Sequence, residues 1–394
     1  MQPFTDIEVL DLTQSIAGPV CTSMLSSLGA HVVKVEPPNG DAFREQLEGS
    51  MFAFANQGEK ESIAVDFKTD EGQEIAADLA ERADVVVESF RPGVLEKFDL
   101  DYESVRETNE DVIYCSISGF GQGGPYRDWP AYDPVVQAVS GLMSTIGYPD
   151  RPPVRIGAST IDCGTGANAA FMVASALFQR GQTGEGEHID IALFDVALSW
   201  TGYWITYYES TGKTPTRAGA GLHGFAPNDI YEGSDDEQFY VSAFSDALYE
   251  RVCSALGRED LADDERFVTQ DKRWENRHEL DEILDDAFAE YEREEIVERL
   301  AEAGVPTGPV RTIDEVADDE HVHDRDMISE TRNVELEDDS VTARLPLRTS
   351  DGPVADVSEP PELGEHAREV LAGLGYDETE IEAVLDSGAV NTPE

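Results

Sequence analysis

The sequence predicts an α/β protein, with a doubly wound parallel sheet forming a large domain and a smaller α+β domain inserted into it. Three observations predict it. From Ile7 to Phe120, short runs rich in Val, Ile and Leu alternate with stretches of helical periodicity, the pattern of a parallel sheet wound with helices. After Trp200 the texture changes to a glycine-punctuated and then strongly acidic segment that closes with VPTGPVR. Strand-like RLPLR and a helical close, VLAGLG then ETEIEAVL, follow it.

Ile7 to Leu12, IEVLDL, reads as the first strand, and Ala17-Gly18-Pro19 leads into a helical VCTSMLSSLG ending at Gly29. HVVKVEPP supplies a second strand, stopped by Pro37 and Pro38. SIAVDF is a third strand after the turn NQGEKE, and a helix is expected from about Asp70 to Arg82. ADVVVESF is a fourth strand ending at Arg91-Pro92-Gly93, and DVIYCSISGF is a fifth. Ligands of such sheets sit in the loops at the carboxyl ends of the strands.

Val154 to Ala197 organises the rest. Small residues (Gly157, Ala158, Ser159, Thr160) lead to one acid, Asp162, and small residues follow it. An almost wholly apolar run from Ala167 to Phe178 then reads as a buried helix, ended by Arg180 and Gly181. Asp162 thus heads a helix among residues too small to block a ligand. It is either an N-cap or a catalytic acid, and the two are compatible because a helix N-terminus keeps a carboxylate ionised. A TGEG turn and the strand-like HIDIALFD complete the unit.

Residues 201–224 read as a linker ending in Gly219, Gly221 and Gly224, where glycine means flexibility or close backbone approach to a ligand. From 225 to 311, strands NDIYEG and QFYVSAF precede helices through Leu256, Leu284 and Ala303. The expected division is 1–200 for the first part of the large domain, 201–224 linker, 225–311 small domain, 312–334 linker, and 335–394 for the C-terminal part of the large domain.

Composition narrows the function. Asp plus Glu number 82 against 28 Lys plus Arg, six of them Lys, for a net charge of −54 spread along the chain. Self-repulsion of that size destabilises a compact state at low salt. At molar salt the Debye length falls to about 3 Å and the penalty largely vanishes, so the charge reads as that of a salt-in halophile. Nucleic acid is excluded as a partner, since phosphate binding needs a basic face. No 18-residue apolar run is evident, so no membrane span is expected. The start MQPFTDIEVLDLT lacks a signal pattern, and Cys21, Cys115, Cys163 and Cys253 are scattered without a CxxC. A cytoplasmic, reducing location is expected. His321 and His323 sit in a solvated acidic run, and no metal site is expected there or elsewhere.

Residues Gly119 to Gly124, GFGQGG, match a dinucleotide-binding GxGxxG in letters. The polar YRDWPAYD follows where the motif needs an amphipathic helix, so nicotinamide chemistry is not expected. There is no Walker-A loop and no GxSxG elbow. A carboxylate with no His beside it in sequence suits attack on an activated acyl group, giving a mixed anhydride. An anhydride keeps the energy of a thioester, which an ester does not. That suits reversible shuttling of coenzyme A between carboxylic acids.

The segments IEVLDLTQSIAGPVCTSMLSSLGAHVVKVEPPNGD, ADVVVESFRPGVLEKFDLDY, SGFGQGGPYRDWPAYDPVVQAVSGLM, GASTIDCGTG, RGQTGEGEHIDIALFDVAL and GVPTGPVRTIDEV resemble the family III coenzyme A transferases of formyl-CoA and carnitine-CoA type. The resemblance runs from Ile7 to the C-terminal LGEHAREVLAGLGY. It implies that Asp162, in the xxxDxxxG segment, is the nucleophile. Backbone N–H groups at Ile16 and Ala17 would meet the acyl oxygen. CoA contacts would fall at Val65, Asp66, Phe67 and Lys68, at Ser89, Phe90 and Arg91, at Lys97, and at Ala131, Tyr132 and Asp133. Gly219, Ala220 and Gly221 would form a flexible loop over the site. The resemblance also implies CoA thioesters as substrates, no permanently bound cofactor, and two interlocked copies in a homodimer. It leaves the role of Lys60 open, and Pro37 stands where some members carry an Arg for the CoA phosphates.

The expected donor is succinyl-CoA and the expected acceptor a C4–C5 dicarboxylate such as mesaconate, on the lineage inferred from charge. The related 2-methylacyl-CoA racemases share the AGP, FRPG and Asp segments but add a His in GHDxNY as a second base. Here AYDPVV puts Tyr132 at that position, and one base cannot deliver a proton to the opposite face. A non-catalytic CoA-binding protein is the remaining alternative, and it requires Asp162 to be dispensable.

Overall fold

A computed structural model describes residues 1–333 and 338–393. Six strands pair in parallel: β1 (Glu8–Leu12), β2 (His31–Glu36), β3 (Lys60–Val65), β4 (Val85–Glu88), β5 (Ile113–Ser118) and β6 (Glu187–Ala192). A closing strand, Val390–Asn391, runs antiparallel to β3, and the sheet order is closing strand, β3, β2, β1, β4, β5, β6. The chain winds one way from β1 to β3 and the other way from β4 to β6. The carboxyl ends of β1 and β4 therefore flank the switch point, where such sheets open a ligand crevice.

The central strands are buried along nearly their whole length because both faces are covered, and most but not all of their side chains are apolar. Leu10, Leu12, Val33, Val35, Ile63, Val86 and Tyr114 join a core with Ile75 and Leu79 of α3 (Asp70–Arg82) and Leu371 and Ile381 of the two C-terminal helices. α1 (Ala17–Ser27) and α6 (Thr160–Thr183) cover the other face. Between them in sequence come α2 (Ser50–Ala55), α4 (Tyr102–Thr108) and α5 (Asp133–Val139). The helix expected from Asp70 to Arg82 has those ends because Thr69 Oγ1 accepts from Gly72 N and acids occupy the first turn.

The chain divides into two compact units, 1–140 with 157–200 and 319–394, and 141–156 with 201–318. In the second unit the antiparallel strands Asn228–Glu232, Gln238–Ser242 and Thr307–Pro309 pack with helices Asp246–Ala255, Arg277–Phe288 and Arg293–Glu302 around Phe239, Phe267, Leu280, Phe288 and Leu300. Arg273 is fully buried there and donates to Ala226 O, Phe267 O and Asp246 Oδ1.

Four expectations need correction. α6 is not a wholly buried helix: Phe171 and Phe178 are 68% and 75% exposed, because no element among the described residues covers that stripe. α6 is also long and apolar enough to cross a membrane, since its alanines add to the hydropathy although no long run of large residues exists. Its buried stripe packs against α1 and the sheet. Residues 201–211 are not linker but the second half of α7 (Leu193–Thr211). The run RLPLR forms almost no strand. The hairpin lies just before it, Ile328–Asn333 with Asp338–Ala343, and the linker end expected at 334 lies outside the described residues.

A buried polar network underlies β1 and α1. Lys60 Nζ reaches Asp11 Oδ2 (3.3 Å), Pro19 O (3.1 Å), Thr22 Oγ1 (2.8 Å) and Asn56 Oδ1 (3.1 Å). Burial alone would raise the Asp11 carboxyl, but the ammoniums of Lys34 and Lys60 and the hydroxyls of Thr13 and Thr22 outweigh it and hold it at about 2. Lys60 is thus a structural cation, a role that sequence left open. Lys60→Met strands a buried carboxylate and is expected to cost about 3–5 kcal/mol in urea unfolding at molar salt. A loss below about 1 kcal/mol, the scale of a surface pair, would contradict this.

Candidate active site

Asp162 is the third residue of α6, not its N-cap. The N-cap residue, Ser159, makes no side-chain bond. The cap comes from Asp133, the first residue of α5, whose Oδ2 accepts from Ile161 N (2.8 Å) and Asp162 N (3.2 Å). Its other oxygen accepts from Gln137 Nε2, and the side chain is buried. The first residue of α5 thus caps α6. The consequence for Asp162 is electrostatic. Burial, then the Asp133 charge, pushes its carboxyl up to about 7. Among the described residues no hydrogen-bond donor reaches that carboxyl to oppose the shift. The expectation of a plainly ionised acid at the helix start gives way to a poised one.

Gly166 lies four residues on, on the same face of α6. A Cβ there would stand 2.5 Å from Ala17 O and 2.9 Å from Val20 Cβ. Glycine is required for α1 and α6 to approach, which is the physical content of the DxxxG spacing. That approach carries the start of α1 to the face of α6 that bears Asp162. α1 begins at Ile16 with no side-chain cap, and Pro19 in its first turn brings no N–H of its own. The N–H groups at Ile16 and Ala17 are thus left without a side-chain acceptor at the positive end of a helix. A carboxylate beside uncapped N–H groups can attack an acyl carbon while the amides take up the developing oxyanion.

Trp200 closes the other side. A Cβ on Gly164 would meet its ring at 2.2 Å, so the ring lies flush against the first turns of α6. Neither Trp200 nor the Asp133 cap was found by sequence reasoning. Both act across the chain from Asp162, and no local spacing announces them.

The expected CoA contacts follow the strand ends. Ser89, Phe90 and Arg91 follow β4 at the switch point, and Ser89 Oγ accepts from Gln14 N at 2.9 Å. Arg91, Lys97 and Lys68 are exposed cations, and Asp66 is half-buried. Val65, by contrast, is 2% exposed within the core, and Phe67 and Phe90 pack against that core. Val65 can therefore offer only backbone to a ligand, whereas the rings of Phe67 and Phe90 are partly exposed. Ala131 packs against Gly119, where a Cβ would sit 2.5 Å from its own. Tyr132 is exposed, whereas Asp133 is consumed by capping rather than left free for CoA. After GFGQGG the chain makes bends up to α5, with Gly121 N on Ser118 Oγ and Gln122 N on Asp190, so the dinucleotide motif has no helix.

Gly219, Ala220 and Gly221 lie in the second unit. Gly219 N donates to Gly147 O (3.1 Å) with φ at 71°, and Ala220 O accepts from Tyr240 Oη (3.1 Å). A Cβ on Gly221 would stand 2.4 Å from Asn228 O. These glycines serve close backbone approach within their own unit rather than a free linker.

Known proteins resemble this chain over nearly its whole length. The sequence model described as CoA-transferase family III matches residues 4–367. The succinyl-CoA:mesaconate CoA-transferase of Haloarcula hispanica is 36% identical, over 97% of this chain and 100% of its own. The succinyl-CoA–D-citramalate CoA-transferase of Chloroflexus aurantiacus is 35% identical, over 95% of this chain and 94% of its own. A crystal structure of a CAIB/BAIF family protein from Brucella suis superposes with a TM-score of 0.83 at 37% identity, covering 95% of this chain and 99% of that one. With its parallel sheet, its DxxxG helix and its uncapped α1, the chain belongs to CoA-transferase family III.

Proposed function

We propose that this CoA-transferase moves coenzyme A from succinyl-CoA to a C4–C5 dicarboxylate, with mesaconate the first candidate, through Asp162. The observation that carries the covalent route is the Asp162 carboxyl, held near neutrality on the face of α6 that meets the uncapped start of α1. Support for the acids comes from relatives named for mesaconate, citramalate and glutarate, each paired with succinyl-CoA or succinate.

In the first step an Asp162 carboxylate oxygen attacks the thioester carbonyl, and the C–S bond breaks to give a mixed anhydride and CoA thiolate. The thiolate attacks the aspartyl carbonyl of the anhydride, forming an aspartyl-CoA thioester and releasing succinate. The acceptor carboxylate then attacks that thioester, and the two steps run in reverse to give the new acyl-CoA and free Asp162. Each step passes through an oxyanion, which the N–H groups at Ile16 and Ala17 stabilise. The nucleotide end of CoA lies far from the chemistry, and its binding orients the thioester. Racemisation is disfavoured because Tyr132 replaces the second base.

The uncovered aromatic rings of Phe171 and Phe178 on α6 support the homodimer that the family resemblance implies. Four free cysteines and a net charge of −54 support a reducing cytoplasm rich in salt.

Asp162→Ala is expected to lower transfer on the order of a thousandfold or more while CoA binding by calorimetry persists. Near-wild-type turnover would end the covalent route and leave a non-catalytic use of Asp162. A panel of mesaconate, citramalate, glutarate and oxalate with succinyl-CoA at molar salt should favour the C5 acids, and a preference for oxalate would overturn the acceptor assignment.

The attacking form is the carboxylate. The profile of kcat/KM should therefore rise with pH up to about 7 and level off above it. Asp133→Asn removes the neighbouring charge and should move the bend to lower pH. The same shift has a stability sign. A folded-state carboxyl near 7, above its ordinary 3.8, stabilises the fold at low pH, and that contribution is lost as pH rises from 3.8 through about 7. At pH 8 Asp162→Asn should unfold at a higher temperature than wild type, by roughly 1–2 kcal/mol after allowance for partial exposure, with no gain at pH 4.

A further inference from the structure

The amides assigned to the oxyanion have no support of their own at the start of α1. Their position is set by the turn between β1 and α1, residues 13–15, and each residue of that turn is tied to a side chain from outside it. Thr13 N donates to Asp11 Oδ1 (2.9 Å), and Thr13 O accepts from Lys34 Nζ of β2 (2.9 Å). Gln14 N donates to Ser89 Oγ (2.9 Å), and Ser15 N donates to Asp41 Oδ2 (3.0 Å). Lys34 and Asp41 are buried, with Nζ 3.8 Å from Oδ2. Asp41 is itself fixed, since its N donates to Glu36 Oε2 and its Oδ1 accepts from Phe43 N. Behind it Glu36 pairs with Arg44.

Ser15 carries φ at 69° without being glycine. Such a conformation persists only where its surroundings over-determine it. It is also the residue directly before Ile16, so its dihedral sets where the Ile16 and Ala17 N–H groups point. Stability alone is a weak reason for two buried charges here, because apolar replacements of buried ion pairs are often neutral or stabilising.

We propose that Lys34 and Asp41 are positioning residues for catalysis: together they clamp the Thr13–Ser15 turn in a strained form that aims the Ile16 and Ala17 amides at the acyl oxygen on Asp162. The inference rests on the Asp162 route above. The pair touches neither substrate nor the reacting atoms. It acts through the turn, so its loss should slow the chemistry and leave CoA affinity in place.

Asp41→Asn offers one acceptor and one donor to two N–H groups, Ser15 and Phe43, so one of those bonds must break. Lys34→Met removes the donor to Thr13 O while keeping the length of the side chain. Both variants, in the full chain at molar salt, are compared with wild type by steady-state kinetics, CoA calorimetry, thermal melting and single-turnover trapping with hydroxylamine. Val105→Ala, a core change on α4 away from the turn, serves as the control for destabilisation. The expected result is a fall of about 10- to 100-fold in kcat and in the rate of adduct formation at Asp162, with KM and CoA affinity within about threefold of wild type. Val105→Ala should keep the wild-type kcat per folded molecule. If the single variants fail to fold, the double variant Lys34→Met/Asp41→Asn, which strands no charge within the pair, is measured in their place. Variants that trap Asp162 as fast as wild type, or lose activity only with CoA affinity or folded fraction, overturn the clamp alone. Wild type that gives no adduct at Asp162 overturns the covalent route and the clamp with it.

Discussion

The approach of α1 to α6 at Gly166 is the contact on which the rest of the site depends. A helix ordinarily begins with N–H groups that need acceptors, and α1 begins with none supplied by a side chain. That leaves a source of partial positive charge. It becomes chemically useful only if a nucleophile can be brought against it, and a single Cβ at Gly166 would collide with Ala17 O and hold the two helices apart. One hydrogen in place of a methyl therefore decides whether Asp162 and the amides share a face.

Burial at this place has two opposing effects. It strengthens every interaction between an oxyanion and an aimed amide, because water no longer screens it. It also penalises the ionised form of the proposed nucleophile, and Asp133 adds a like charge, so the Asp162 carboxyl climbs to about 7. Asp133 is not simply a burden. By accepting from Ile161 N and Asp162 N it fixes the backbone from which the nucleophile projects. A carboxyl poised near neutrality is ionised often enough to attack and is a better leaving group from an anhydride than a hydroxyl from an ester.

Much of this was legible in the chain. The strands β1 to β5 follow from apolar runs broken by Gly and Pro, and α3 from a Thr cap and an apolar period, all local signals. Asp162 stood out because small residues surround it, and the resemblance carried its role. What stayed hidden is long-range. Asp133 caps a helix that begins 27 residues later, and Lys34, Asp41 and Ser89 meet one turn from three separate places in the chain. No periodicity encodes such meetings. The resemblance put CoA contacts at Val65 and Phe67, yet the Val65 side chain is buried in the core and Phe67 packs partly against it. Position along the strand fixes the edge of the sheet, and the parity of the residue fixes the face. The exposed stripe of α6 was hidden for the opposite reason, since an apolar face that the chain buries and one that it leaves exposed have the same composition.

The distribution of charge separates two kinds of electrostatics in this molecule. The net charge of −54 is carried mostly by exposed acids, whose mutual repulsion salt can screen. Among the described residues the buried acids are Asp11, Glu36, Asp41, Glu88 and Asp133, and they lie on the central sheet strands, in the loop after β2 or at the start of α5. Two of the six lysines, Lys34 and Lys60, are fully buried among them. Ions in solution do not reach these pairs, so their geometry is set by the fold and not by the medium. A protein whose surface field changes greatly with salt thus keeps, beneath the catalytic turn, a set of charges whose positions do not. On the proposed route its chemistry depends on that inner set, because an oxyanion is stabilised by donors already in place, and donors that moved with ionic strength would lose that advantage.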